Sequence, residues 1–246
     1  MPSEEAEFKY PRRRVIRTAI RHLTRLILTT ISDFQVVDRV NFPAEGPLLV
    51  VGNHFSFLDP VAVLAISPWP IEFVGGLRVP NAPKGVGALR ELWGYYPVYR
   101  GTGSQLAFRA AQAVFDQKGI LGIFPEGSSA FAVLRPPRPG AAFMAARSQV
   151  PVLPIGMDGL TNVFPALRKG RRAKVTIRIG RSFGPFEAPG RGRARRERLE
   201  EIGHTIMQHI ADLLPIDRQG HYSADPEIRA AAQGTEVYPW DDEPEL

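Results

Sequence analysis

The chain contains no cysteine among its 246 residues. This absence excludes disulfides, cysteine-ligated metals and a covalent enzyme intermediate through sulfur. The chain also lacks a run of the ~20 apolar residues that span a bilayer. Charged residues interrupt the apolar ones throughout residues 12–31, which is not the pattern of a signal peptide. We therefore expect a protein of the cytoplasmic compartment without a spanning segment.

Positive charge is in excess, but it is unevenly placed. Lys and Arg number 31 against 25 Asp and Glu. Residues 9–25 contain no acid, residues 168–198 contain two, and the charges of residues 225–245 are mostly acidic. Separate basic blocks favour an anionic partner, either a phosphate or an anionic membrane surface. Nucleic acid is disfavoured, because few aromatic side chains are interleaved with the cations of the second block.

The hydrophobic pattern of residues 12–31 predicts a helix with two faces. At ~100° per residue, Arg14, Arg17, Arg21 and Arg25 fall on one face and apolar side chains on the other. One interpretation is a helix in a membrane interface, with its arginines at anionic headgroups. The other is a helix packed on the domain with its arginines in solvent. The absence of acids on the arginine face favours the membrane.

Strand-like and helix-like segments alternate along the chain. This alternation predicts one α/β domain with a mixed, largely parallel sheet flanked by helices, plus the N-terminal amphipathic helix. We divide the chain into that helix at 1–31, a domain at 32–215 and an acidic, loosely ordered tail at 216–246. Strands are predicted at 34–40, 48–52, 71–74, 95–99, 120–124, 150–155 and 175–179. Helices are predicted at 59–66, 105–118, 140–147 and 193–214. Pro151 and Pro154 place the strand at 150–155 at a sheet edge or make it irregular.

A histidine and a carboxylate follow the apolar strand at 48–52. His54 is the side chain best suited to accept a proton near neutral pH. Asp59, five positions later, suits the task of orienting the ring and stabilising the imidazolium. On one helix the two residues would lie ~140° apart, so they meet only if His54 precedes a helix and Asp59 lies in its first turn. Asp59 is then expected as N-cap, with Pro60 at the first helical position. The alternative is a loop histidine beside an unrelated cap.

Two further charged residues follow predicted strands. Arg100 ends a Gly-rich strand and suits bidentate binding of a phosphate. Glu126 lies in the tight turn 124–128 and is placed to hydrogen-bond substrate hydroxyls. The apolar strand at 150–155 suits the wall of an acyl or pantetheine channel. Each feature also has an ordinary interpretation: a surface arginine, a turn acid and a core strand.

The four blocks resemble the glycerolipid acyltransferase superfamily, typified by 1-acylglycerol-3-phosphate O-acyltransferases. That family has an Asn-His-x4-Asp box, a Gly-rich strand ending in Arg, a Phe-Pro-Glu-Gly-Thr turn and a Val-Pro-x-x-Pro strand. All four appear here in order between Asn53 and Ile155. The resemblance implies that His54 is the general base and Asp59 its orienting partner. It also implies that Arg100, with Glu126 and Gly127, binds a glycerol phosphate acceptor.

Three more residues of these blocks are predicted to bind substrate: Asn53, Ser56 and Ser128. Here the chain departs from the family, which often has Thr-Arg-Ser where this chain has Ser128-Ser129-Ala130, and often an acid where this chain has Tyr99. The missing arginine leaves two options. Either Arg135 or Arg138 substitutes for it, or the acceptor is not a simple phosphate.

The resemblance implies an enzyme of the 1-acylglycerol-3-phosphate O-acyltransferase type. It would move a fatty acyl group from acyl-CoA or acyl carrier protein to a lysophosphatidate-like acceptor, with no metal or cofactor. We expect a peripheral protein on the cytoplasmic face of the cell membrane, bound to its anionic surface. Alternative acceptors are glycerol phosphate, another lysophospholipid or a glycolipid. A different class is a non-catalytic, basic membrane-binding protein with this fold. A serine hydrolase using Ser56 or Ser128 is disfavoured, because neither serine lies in a Gly-x-Ser-x-Gly elbow.

Overall fold

The computed structural model describes residues 8–76, 92–93, 96–98, 105–129 and 131–237. Within these residues a seven-stranded sheet carries helices on both faces. The strands are β1 Ser32–Val37, β2 Leu48–Gly52, β3 Ile71–Gly76, β4 Tyr96–Val98, β5 Ile120–Ile123, β6 Val152–Asp158 and β7 Ala173–Ile179. The helices are α1 Arg14–Ile31, α2 Leu58–Ile66, α3 Gln105–Asp116, α4 Pro139–Ser148, α5 Val163–Leu167, α6 Gly192–Ala211 and α7 Pro226–Ala231. Short 3-10 turns lie at Arg39–Asn41, Leu160–Asn162, Ile216–Arg218 and Gly220–Tyr222.

The strand order is β1-β7-β6-β2-β5-β3-β4, and every neighbouring pair is parallel except β6 with β7. The predicted mixed, largely parallel sheet is therefore confirmed. All five residues of β2 are buried, as expected for a strand covered on both faces. Gly52 pairs with Ile155, and because β2 and β6 are parallel, their carboxyl ends point to the same edge of the sheet, with β6 continuing to Asp158. Open α/β sheets bind their ligands outside such carboxyl ends.

Of the two effects predicted for Pro151 and Pro154, an edge position or an irregular strand, the edge position is wrong. β6 lies between β2 and β7. Pro151 precedes the strand, and its carbonyl accepts the Leu49 N–H. Pro154 lies where pairing with β7 ends, and its carbonyl accepts the Gly180 N–H. The N–H that proline lacks is therefore lost at the end of a ladder, where its absence disrupts the sheet least.

Two apolar clusters cover the two faces of the sheet. Helices α3, α4 and α6 pack on one face, and α1 and α2 pack on the other. In α6, Ile202, Ile206 and Ile210 lie four residues apart and are buried, which is the spacing of a helix with one face in the core.

Helix α1 is oriented differently from the sequence-based expectation. The buried face contains Arg17, Ile20, Thr24 and Leu28. Much of the predicted apolar face is instead exposed; we call this set the apolar stripe, which consists of Val15, Ile16, Leu23, Leu26 and Ile27. No helix in the described ranges is long and apolar enough to cross a bilayer.

The prediction that the arginines of this helix face headgroups or solvent is wrong for Arg17, whereas Arg14 and Arg25 are exposed as expected. Arg17 is 2% exposed, and its guanidinium binds Glu72 and donates to the Trp93 carbonyl. Arg21 donates to the carbonyls of Ser67 and Pro68. A buried cation is costly unless it is paired with an anion, so the face of α1 that contains Arg17 lies toward Glu72.

The prediction of a loosely ordered tail is also wrong for residues 216–237. Two 3-10 turns and α7 fold against the domain. The Leu134 N–H donates to the Arg218 carbonyl, and the His221 N–H donates to the Leu134 carbonyl. The main chain of the tail thereby joins the segment that follows the turn at 124–128. Residues 238–246 lie outside the described residues.

Candidate active site

His54 and Asp59 meet at the carboxyl end of β2. His54 lies in the loop before α2, and Asp59 lies in the first turn of that helix. The distance from His54 Nδ1 to Asp59 Oδ2 is 3.1 Å. The predicted convergence of the imidazole and the carboxylate is confirmed. The loop and the helix start make it possible, because residues five apart within one helix would diverge.

Asp59 also closes the start of α2, although it is not the N-cap that the sequence suggested. Ser56 Oγ accepts the Leu58 N–H at 3.2 Å, and Asp59 Oδ2 accepts the Ser56 N–H at 2.6 Å. This reciprocal pattern is a capping box with Ser56 as its first residue. Burial raises the pKa of Asp59, while the hydrogen bond from His54 opposes the rise. One carboxylate oxygen therefore both starts the helix and binds the histidine.

The hydrogen bond determines which nitrogen of His54 is available for proton transfer. A carboxylate accepts hydrogen bonds, so the proton of the neutral ring lies on Nδ1 and the lone pair on Nε2. The side chain of His54 is 16% exposed. Its ring stacks on Phe124 at a centroid distance of 4.4 Å, and Phe124 stacks on Phe73 at 6.1 Å. The stack and the carboxylate together hold the imidazole in one orientation.

Glu126 holds the main chain of the same histidine. The turn at 124–128 follows β5, and Gly127 takes a positive φ of 72° within it, a conformation that suits glycine. Glu126 Oε1 accepts the His54 N–H at 2.7 Å. The residue is 1% exposed. Burial raises the pKa of Glu126 to about 8, while the His54 N–H and the charge of Arg135 oppose the rise.

Arg135 lies beneath this turn. Its Nη2 donates to the Glu126 carbonyl at 3.3 Å, the Ser128 carbonyl at 3.0 Å and Ser128 Oγ at 2.9 Å. Its Nε lies 3.7 Å from Glu126 Oε2. Arg135 is 2% exposed, whereas the Arg138 side chain is exposed. Of the two arginines considered as substitutes for the missing family arginine, Arg135 is the one that contacts Glu126 and Ser128.

The other predicted site residues differ in their surroundings. Asn53 is fully buried, and its side-chain amide exchanges hydrogen bonds of 2.8 and 2.7 Å with the main chain of Met157. Both polar ends of Asn53 are therefore used to tie the histidine loop to β6, which corrects the prediction of a substrate ligand. Ser56 caps α2, and Ser128 is bound by Arg135. Arg100 and Tyr99 lie outside the described residues.

Sequence reasoning did not identify two contributors to the site. Phe124, which supports the imidazole ring, was visible only as the first residue of the Phe-Pro-Glu-Gly block. Tyr222 comes from the tail: burial raises its pKa, and the charge of Glu126 raises it further. Its phenol oxygen lies 2.8 Å from His204 Nδ1. No local pattern near residue 222 signals this proximity.

A family model described as Acyltransferase matches residues 33–158, which is just over half of the 246 residues. The chain belongs to the acyltransferase family. The matched range includes His54, Asp59, Glu126 and Arg135. The reaction class is accordingly that of a transferase of acyl groups. No curated protein matches the chain.

The fold of this acyltransferase is also found in a solved structure. The crystal structure of the 1-acyl-sn-glycerophosphate (LPA) acyltransferase PlsC from Thermotoga maritima matches with a TM-score of 0.56 and 21% sequence identity, covering 85% of each chain. At this identity the likeness concerns the fold. The family match confirms the predicted acyltransferase membership, and the solved structure confirms the predicted fold.

Proposed function

We propose that this acyltransferase moves a fatty acyl group from acyl-CoA or acyl carrier protein to the hydroxyl of a lysophosphatidate-like acceptor. The observation that carries the proposal is the contact between His54 Nδ1 and Asp59 Oδ2 at 3.1 Å. It leaves Nε2 as the basic nitrogen, on a ring that is partly exposed at the carboxyl edge of the sheet. Geometry and residue type thus both suit a general base.

The chemistry requires the removal of one proton. The acceptor hydroxyl is a weak nucleophile, so His54 Nε2 takes its proton as the oxygen attacks the thioester carbonyl. Asp59 stabilises the imidazolium that forms. When the tetrahedral intermediate collapses, the new C–O ester bond remains, the C–S bond breaks, and the leaving thiolate receives the proton from His54. The acyl group has then passed from sulfur to oxygen, and the proton has passed from the acceptor hydroxyl to the thiolate.

The turn at 124–128 supplies the second part of the site. Glu126 fixes the main chain of His54, and its other oxygen, Oε2, accepts no hydrogen bond of ordinary geometry from the described residues. Glu126 keeps its proposed role as a partner of the acceptor hydroxyl, and this role is supported by its place in the sequence block, since Oε2 itself is buried beside Arg135. Arg100 keeps its proposed role as a ligand of the acceptor phosphate, and this role is supported by its place in the sequence block alone.

The acceptor and the product are lipids, so the enzyme works as a peripheral protein at a membrane surface. The apolar stripe of α1 supports this location. Val15 is 83% exposed and Leu26 is 64% exposed, and exposed apolar side chains in a contiguous row are typical of membrane or protein contact. Arg14 and Arg25, on the same helix, are exposed as well. The side that meets the lipid is thus the apolar stripe, and not a uniform arginine face.

Turnover tests the proposal. The full chain is incubated with radiolabelled acyl-CoA or acyl carrier protein and with lysophosphatidate, glycerol phosphate, another lysophospholipid or a glycolipid, and the products are identified by mass spectrometry. We expect acylated lysophosphatidate, and a loss of kcat on the order of 10²–10⁴-fold in His54→Ala. His209→Ala, on α6 at the opposite face of the sheet, serves as the control and keeps its activity.

Three other results of this assay would change the proposed function. Acylation of a different acceptor would replace the lysophosphatidate assignment and keep the mechanism. Near-normal turnover in His54→Ala would remove His54 as the base. Vesicle binding by a wild-type chain without any turnover would favour the non-catalytic, membrane-binding alternative.

A further inference from the structure

Several elements end at the same edge of the sheet as His54. β7 runs antiparallel to β6, so its first residue, Ala173, lies at the edge where β6 ends. β1 is parallel to β7, and Ser32 pairs with Ala173. The C-terminal end of α1 and the turn that precedes β7 therefore adjoin the edge that carries the site. β7 is two strands from β2, which is roughly 10 Å at the usual strand spacing.

The turn before β7 is strongly basic; we call residues 168–172 the basic turn. Arg168, Lys169, Arg171 and Arg172 are exposed. The sequence contains no acid between Asp158 and Glu187, so the local charge is not cancelled along the chain. Lys174 is left out of this group because Asp33 lies opposite it in the β1–β7 register.

Apolar side chains accompany these cations. Phe164 and Leu167, on α5 directly before the basic turn, are 39% and 37% exposed. Cations beside exposed aromatic and aliphatic side chains suit an interface in which headgroups meet acyl chains.

The surface formed by α5 and the basic turn contacts the loop of His54 at one end and helix α1 at the other. Phe164 stacks on Phe57 at a centroid distance of 5.8 Å, and Phe57 belongs to the loop between His54 and α2. At the other end, Arg172 donates to the carbonyls of Thr29 and Ser32 at the end of α1. The basic turn is therefore continuous with the site on one side and with the helix of the apolar stripe on the other.

We infer that the basic turn, with Phe164 and Leu167, docks the protein on the headgroups of an anionic phospholipid membrane, so that the site opens toward the lipid. The inference rests on the proposed function, because it explains how a membrane-bound acceptor reaches His54. Anionic lipid is the occupant because the exposed cations are complementary to it, and because the surface lies beside the site that acts on a lipid. An acidic protein partner is the alternative that the test separates.

Vesicle sedimentation of the full chain tests the inference. Vesicles of phosphatidylcholine alone are compared with vesicles of equal parts phosphatidylcholine and phosphatidylglycerol. The variant Arg168→Gln with Lys169→Gln and Arg171→Gln leaves Arg172 and its hydrogen bonds to α1 in place. The charge-matched control is Arg191→Gln with Arg193→Gln and Arg196→Gln, three exposed arginines at or just before the start of α6.

The basic-turn variant is expected to lose affinity for the anionic vesicles by about fivefold for each cation, or on the order of 10²-fold in total. The control loses far less, and the difference shrinks at high salt because the attraction is screened. Leu23→Ser with Leu26→Ser, on the apolar stripe, weakens binding to both vesicle types. An equal loss in the control, or wild-type binding by the basic-turn variant, would overturn the inference. So would wild-type binding that does not increase with phosphatidylglycerol content, which would leave an acidic protein as the occupant.

Turnover with a water-soluble, short-chain lysophosphatidate separates the inference from the proposed function. The basic-turn variant is expected to acylate this soluble acceptor at the wild-type rate and to be slower only with acceptor embedded in anionic vesicles. A wild-type chain that fails to acylate the soluble acceptor, yet binds anionic vesicles through the basic turn, would count against the proposed function alone. A basic-turn variant that is equally slow with both acceptors would show that these residues act on the reaction itself, and would overturn the docking role.

Discussion

Glu72 and Glu126 are both buried carboxylates beside arginines, yet their surroundings differ. Glu72, on β3, accepts hydrogen bonds from the guanidinium groups of Arg12 and Arg17, and both of its oxygens are used. Glu126 accepts the His54 N–H through Oε1, while its Oε2 lies 3.7 Å from the Arg135 Nε. The first carboxylate is satisfied by the protein, and the second retains capacity for another partner.

This difference indicates a structural role for Glu72, as an anchor of α1, and a role in the site for Glu126. A buried carboxylate whose oxygens are all bonded to arginines holds α1 on the domain and offers nothing to a substrate. A buried carboxylate with an oxygen short of donors remains costly to ionise, which is why burial raises the pKa of Glu126 to about 8. Buried polar groups left incompletely satisfied in a native structure are typical of functional positions.

The largest effect is expected at the anchor. Glu72→Ala leaves Arg17 buried without its anion, and we expect the free energy of unfolding to fall by about 3–5 kcal/mol in urea denaturation. Glu72→Leu combined with Arg17→Met removes both charges and is expected to recover most of that loss. If Glu126→Ala destabilises the protein as much as Glu72→Ala, the two carboxylates are both anchors and the comparison fails.

Protonation of Glu126 gives the next effect. The ordinary pKa of this carboxyl is 4.5, and the folded value is about 8. Between these values the folded state binds a proton that the unfolded state has released, so the contribution to stability is full below pH 4.5 and is lost as the pH rises through about 8. Glu126→Gln removes this contribution.

Urea denaturation at a series of pH values measures the difference. The free energy of unfolding of wild type is expected to decline with pH more steeply than that of Glu126→Gln, by up to about 1.4 kcal/mol per pH unit in this window. Parallel pH profiles for the two proteins would mean that Glu126 is already ionised in the folded state, as a fully satisfied carboxylate would be.

The smallest effect is expected at Arg135. Arg135→Met removes the donor to Ser128 and to the Glu126 carbonyl, and we expect a loss of stability of about 1–3 kcal/mol. The loosened turn also shifts the His54 main chain, so kcat is expected to fall more than KM changes. Arg135→Lys keeps the charge but loses the forked geometry, and it should recover stability only in part. A loss of stability with unchanged kcat would mean that Arg135 only stabilises the fold. It would also mean that the turn at 124–128 does not position His54 for the reaction.

Much of the fold and the centre of the site could be predicted from the sequence, because both depend on local patterns. The buried strand β2 coincides with its apolar run at 48–52. His54 and Asp59 are joined by a loop and one helical turn, so a short local segment brings them together once the start of α2 is known. The positions of α2, α3 and α6 followed from apolar periodicity and capping signals to within a few residues.

Other features depend on partners that lie far away in the sequence, and only the tertiary structure decided them. Arg17 points inward because it binds Glu72, which lies 55 residues later in the sequence, on β3. The apolar periodicity of α1 cannot predict this partner. β6 lies inside the sheet because β7 ends where Pro154 lacks its N–H. The tail is held in place because the Leu134 N–H donates to the Arg218 carbonyl and the Leu134 carbonyl accepts the His221 N–H.

The sequence by itself therefore determined most of the strands and the longer helices, and which imidazole and carboxylate lie together at the end of β2. The tertiary structure decided which face of α1 is exposed, which arginine supports the turn at 124–128, and which carboxylate has an oxygen without a hydrogen bond. The physical reason is that apolar burial follows a short repeat along the chain, whereas the satisfaction of a buried charge requires a specific partner that the fold brings from a distance.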